Sequence, residues 1–113
     1  MIPNTAYIYL SVAIISEVIG TLALKSSDGF SKVYPSLTVI AGYAVAFFFL
    51  SLTLRTVPVG IAYAIWAGAG TALIVLVSAV LLKQSLDAAA LIGIPLIVAG
   101  IVIINLGSQA AAH

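Results

Sequence analysis

Four long apolar stretches, cut by three short polar clusters, make up almost all of this chain. They run from about Tyr7 to Leu24, from Tyr34-Pro35 to about Leu54, from about Val59 to Leu82 and from about Ala88 to Leu106. Between them lie Lys25 to Lys32 (with Asp28, Gly29, Ser26, Ser27 and Ser31), Arg55-Thr56-Val57-Pro58, and Lys83-Gln84-Ser85-Leu86-Asp87. Asp, Gly and Ser mark turns, and the charges need water. The stretches are apolar at even and odd positions alike, as Leu91 to Leu106 illustrates, and about 20 such residues are needed to cross a bilayer as a helix. A barrel strand would alternate over about 10 residues instead. The pattern predicts an all-α membrane protein of four transmembrane helices. Short connections make successive helices antiparallel neighbours and bring both termini to one side. Pro35 is expected at the first helical position, where no N–H is needed, and Asp87 is placed to cap the fourth helix.

Composition sharpens this reading. Of 113 residues 64% are hydrophobic and 6% charged, too little charge to cover a water-exposed surface, where about 25% is usual. A soluble enzyme, a nucleic-acid binder and a disordered tail are excluded together. The net charge of +1 attracts no polyanion, and without Cys there is no disulfide, thiolate metal site or thiol nucleophile. No enzyme activity, metal or cofactor is expected, and four spans fill residues 1–113 as a single membrane domain. Met1 to Thr5 carries no Lys or Arg, and no cleavage site interrupts the first span, so the mature chain is expected to begin near Met1. Lys25, Lys32 and Lys83 fall on one side, against Arg55 and the terminal amine on the other. That weakly sets the first and third loops in the cytoplasm, and the bias is small enough for insertion both ways.

One residue breaks the apolar pattern. Glu17 lies mid-way along the first span and is the only acid in any span. A charge at the bilayer centre costs about 2.5–3.5 kcal/mol on insertion scales. No basic side chain lies at its depth; Lys25 is about two turns away, where its stem reaches water. Two readings fit: a protonated carboxyl that glues two helices by a hydrogen bond, or a proton and cation site facing a cavity. The second is favoured, because nothing neutralises the group. Ala13, Ile14, Gly20 and Thr21 share its helical face; the small residues leave room, and Thr21 is able to donate to the carboxyl. Ala13, Ile14 and Thr21 are therefore expected in a substrate site with Glu17.

The third span offers matching chemistry. Tyr63 and Trp66 share a face, and aromatic faces attract cations, quaternary ammonium groups above all. An interfacial aromatic belt is the competing reading. Gly68-Ala69-Gly70 follows, either a bend that lets the two halves of the helix move or simple close packing. Tyr43 is a third candidate hydroxyl, whereas Phe47, Phe48 and Phe49 are read as lipid-facing or core. In the fourth span Gly93, Gly100 and Gly107 recur every seven residues as one packing face. Asn105 is expected to hydrogen-bond between helices. Pro95 should kink that helix by leaving the Leu91 carbonyl without a donor. His113 is given no role.

Taken in order, these residues resemble the small multidrug resistance family of bacterial proton-coupled exporters over essentially the whole chain. The matching stretches are Ser16-Glu17-Val18-Ile19-Gly20-Thr21 leading to Lys25, Gly29-Phe30, Pro35-Ser36, Pro58 through Ala64-Ile65-Trp66, Gly68-Ala69-Gly70, and Ile103-Ile104-Asn105-Leu106. The likeness is to the branch that exports quaternary ammonium and other aromatic cations. It implies an antiparallel homodimer of four-helix subunits inserted in both orientations in the bacterial inner membrane. It also implies that protons and organic cations compete at Glu17, that Tyr43, Tyr63 and Trp66 line the chamber, and that Gly68 and Gly70 act as a hinge. Gly93 and Gly100, with Asn105, would form the dimer contact. Ser16, Ala67 and Pro95 depart from that branch. A guanidinium exporter of the same family is the nearer alternative; its branch carries a Trp shortly after the glutamate and lacks the second-span Tyr. A non-transporting membrane partner or pore subunit is the other, and a pore would show polar rings on several spans.

Overall fold

A computed structural model describes residues 3–107, so His113 lies outside the described residues. It contains four helices: α1 (Asn4–Ser26), α2 (Val33–Thr53), α3 (Val59–Leu81) and α4 (Ala88–Gly107). All four are long and apolar enough to cross a membrane. Their 20 to 23 residues span about 30–35 Å at 1.5 Å per residue, the thickness of a hydrocarbon core.

Helix ends follow local chemistry. The carbonyls of Pro3 and Pro58, each just outside a helix, accept the Ala6 and Ala62 amides at 3.1 and 3.0 Å. α2 begins two residues before Pro35, which therefore occupies its third position and not its first. The missing N–H is still harmless, because the first four amides of a helix have no acceptor within it. Asp87 caps α4 through its Oδ1, which accepts the Ala90 amide at 2.9 Å. In the first loop the buried Ser27 organises the turn: its hydroxyl donates to the Leu24 carbonyl at 2.7 Å and accepts the Phe30 amide at 3.1 Å. That bracing holds Asp28, Gly29 and Phe30 all in the left-handed region, with φ of 48°, 71° and 65°.

The helices form a slab and not a closed bundle, with extents of 44 × 35 × 18 Å. α1 packs along α2 far more than any other pair does; α3 rests on α1 and on α4, while α2 and α3 stay apart. One small core joins Ala6, Val57 and Ala62; another joins Leu10, Ile14, Val18 and Ile65. No residue of α4 is buried. The faces of Gly93, Gly100 and Gly107 are open, with nothing within 4 Å of a Cβ added there. α4 runs through Pro95 as one helix.

Glycine sets the α1–α2 crossing. A Cβ on Gly42 would lie 2.8 Å from the Ser16 carbonyl oxygen and 3.0 Å from Gly20 Cα, closer than real Cβ contacts. Backbone thus meets backbone in mid-membrane, as small residues permit. Gly42→Val is expected to cost about 1–3 kcal/mol by overpacking, lowering the unfolding midpoint of detergent-solubilised protein by several degrees. An unchanged midpoint would refute so close a crossing.

Candidate functional site

The close crossing of α1 and α2 brings three polar side chains together. Glu17 stands near the middle of α1 and is half-buried, with Thr21 one turn further on. Across the crossing, the Tyr43 ring fills the space beside Gly20: a Cβ there would sit 3.6 Å from the ring. Thr21 Oγ1 donates to Glu17 Oε1 at 2.8 Å and lies 2.7 Å from the Tyr43 hydroxyl. A threonine has one proton to give. With that proton on the carboxylate, Tyr43 is the donor to Thr21, and the chain runs Tyr43 to Thr21 to Glu17.

The gap between α2 and α3 is a cavity of about 450 Å³, and Glu17 lines it. Its α2 wall is Tyr43, Phe47 and Leu50; its α3 wall includes Tyr63, Trp66, Ala67, Gly70 and Thr71. Tyr43 stacks on Phe47 at 6.3 Å between ring centres, and Phe47 meets Trp66 at 6.0 Å. A run of three rings therefore bridges the two separated helices above one carboxyl group. No Lys or Arg lines this space. A cation entering it would meet a carboxyl group and aromatic faces, both of which attract positive charge.

Four expected residues, Glu17, Tyr43, Tyr63 and Trp66, line this one cavity, although Tyr63 is 70% exposed. Thr21 stands behind the carboxyl, bonded to it. Ala13 and Ile14 do not line the cavity: Ala13 is fully buried, and Ile14 belongs to the core with Leu10, Val18 and Ile65. They lie on the part of the Glu17 face that turns into the packing. Phe47, read from sequence as lipid-facing or core, is a cavity residue, as are Leu50, Ala67, Thr71, Ile74 and Val75. Its position one turn beyond Tyr43 was the available signal; Thr71 stands likewise one turn beyond Ala67.

Gly68 and Gly70 of α3 are both contact surfaces. A Cβ on Gly68 would approach Ile101 Cδ1 to 2.9 Å, so α4 lies close there; one on Gly70 would lie 3.7 Å from Glu17 Oε2. α3 is continuous across them. Asn105 bonds between helices within the chain: the Tyr7 hydroxyl donates to its Oδ1 at 2.7 Å, and its Nδ2 donates to the Ile101 carbonyl at 3.0 Å. Among the described residues no three His, Cys, Asp or Glu side chains come together as a metal would require.

Comparison with known proteins gives this arrangement a family. The profile of the Small Multidrug Resistance protein matches residues 5–97. The chain belongs to the small multidrug resistance family. The quaternary ammonium compound-resistance protein QacE of Escherichia coli is 51% identical over 107 residues, 95% of this chain and 97% of its own. The multidrug transporter PA4990 of Pseudomonas aeruginosa is 50% identical over 109 residues, 96% of this chain and 99% of its own. The multidrug transporter EmrE of Escherichia coli K12 is 50% identical over 107 residues, covering 95% and 97%. This small multidrug resistance protein is thus a multi-pass protein of the bacterial inner membrane and a transporter, not an enzyme.

The hydroxyl chain is open to a double-mutant cycle. Thr21→Val and Tyr43→Phe together are expected to cost less stability in detergent than the sum of the two singly, by about 0.5–1.5 kcal/mol. Strictly additive losses would mean that the two hydroxyls do not meet.

Proposed function

We propose that this chain is a proton-coupled antiporter that exports hydrophobic, often aromatic, quaternary-ammonium-like cations by alternating access. The observation that carries the reading is the lone membrane acid, Glu17, opening onto a cavity walled by Tyr43, Phe47 and Trp66. The names of QacE and EmrE as resistance protein and multidrug transporter support the same substrate class.

The working unit is an antiparallel homodimer. The single chain is a slab open on its faces, and α4 keeps the Gly93–Gly100 ridge bare. A second copy covers that ridge, and the eight helices together hold two Glu17 carboxyls in one chamber. The weak charge bias between the two membrane sides fits a chain inserted in both orientations. Asn105 joins this contact only with the face that its bond to Tyr7 leaves free. Residues 1–113 act as one membrane domain.

Exchange follows from competition. A cation needs an ionised carboxyl, while protons neutralise both, so each ligand expels the other. Gly68 and Gly70 let α3 bend as the chamber reorients. A proton gradient then empties the outward-facing site of its cation. The aromatic rings hold the flat part of the substrate and the carboxyl its charge.

Two measurements test this. Cation affinity of the wild type is expected to fall as pH is lowered, approaching tenfold per unit once protonation dominates, because the two ligands share one charge. Glu17→Gln should bind little cation at any pH and show no gradient-driven uptake in proteoliposomes. Affinity independent of pH, or normal uptake by the Gln variant, would sink the mechanism. Separately, Trp66→Ala and Tyr63→Ala should each weaken flat aromatic cations by about 1–2 kcal/mol, with unchanged affinity assigning them to a belt.

A further inference from the structure

The polar atoms of the cavity fall into two sets. One is internally satisfied: the Tyr43 and Thr21 hydroxyls and Glu17 Oε1 are bonded to one another. The other faces α3. Glu17 Oε2 points toward Gly70, and the next residue, Thr71, lines the same cavity and is exposed. Among the described residues the Thr71 hydroxyl makes no hydrogen bond. Ser36, Thr38, Ser51 and Thr53, by contrast, fold back onto carbonyls of their own helices at 2.6, 3.0, 2.6 and 2.9 Å. One turn before Thr71, Ala67 offers only a methyl group. Beyond Tyr63, the α3 wall of the cavity therefore carries one hydroxyl, and it is unspent.

We propose that Thr71 is a specificity-determining residue, whose hydroxyl pairs with a hydrogen-bonding substituent such as an aromatic amine on the bound cation. The inference rests on the cation-export reading and adds to it a substrate subclass. With the charge at Glu17 and the rings against Trp66, a ring substituent on the α3 side reaches the wall where Thr71 stands. A hydroxyl both donates and accepts, so it suits an amine or a hydroxyl on the ring. A bare quaternary centre has no N–H and gains nothing from it. The chamber thus favours amino-substituted aromatic cations over otherwise identical ones.

The test compares ethidium, which carries two aromatic amines beside its quaternary nitrogen, with its des-amino parent 5-ethyl-6-phenylphenanthridinium. Both are titrated into full-length protein in lipid nanodiscs. Thr71→Val keeps the shape and removes the hydroxyl; it is expected to weaken ethidium about threefold to tenfold and to leave the parent within about twofold. Thr71→Ser should restore the wild-type preference. Equal losses for both ligands, or ethidium bound as tightly as by wild type, overturn the role of Thr71. Glu17→Gln separates the two levels: if both cations still bind that variant unchanged, the export reading fails and takes this proposal with it. If binding depends on Glu17 but Thr71→Val does not discriminate, this proposal alone fails.

Discussion

Hydrocarbon offers a carboxyl group no partner, and a chain that keeps one at mid-membrane must supply the partners itself. Glu17 costs about 2.5–3.5 kcal/mol to insert when charged, and no basic side chain stands at its depth to offset this. What it has is Thr21 on its own helix and, through Thr21, Tyr43 on the next. A hydrogen bond between membrane helices is worth about 0.6 kcal/mol on average, so the one such bond, Tyr43 to Thr21, and the bond of Thr21 to Glu17 within α1 only partly compensate. The remainder is an insertion cost that these bonds do not offset.

Packing makes that partnership possible. Tyr43 reaches Thr21 because α1 and α2 cross with Gly20 and Gly42 in backbone contact. α3 is held differently: it leans on α1 through Ile65 and its neighbours and stands off from α2. The cavity is the result of that inequality. Tight packing on one side fixes the carboxyl, and loose packing on the other leaves the cavity open beside it.

Much of this was legible in the residues. Four uniformly apolar runs fixed the helices to within a few positions, because membrane thickness leaves little freedom in length. Glu17, Tyr43, Tyr63 and Trp66 stood out since polar or aromatic chemistry is scarce in such a chain. Ala13 and Ile14 were harder, because both share a helical face with Glu17 and only the tilt of α1 against α3 decides which part of that face is buried. Phe47 was read as lipid-facing or core because a run of three Phe looks uniform; the position of α3 singles out the one that meets Trp66. The glycine spacing of α4 marked a packing face, but among the described residues nothing covers it.

The division of labour between helices also bears on how such a protein diversifies. The charged group and its hydroxyl partners lie wholly within α1 and α2, residues 4–53, and among the described residues no side-chain hydrogen bond ties them to α3. Substitutions at Ala67, Thr71, Ile74 or Val75 change the shape and polarity of the wall while leaving the carboxyl and its support intact. Selection is therefore free to reshape this wall without rebuilding the carboxyl and its hydroxyl partners. A drift in drug spectrum among descendants of this chain should be written mainly in the second half of the sequence.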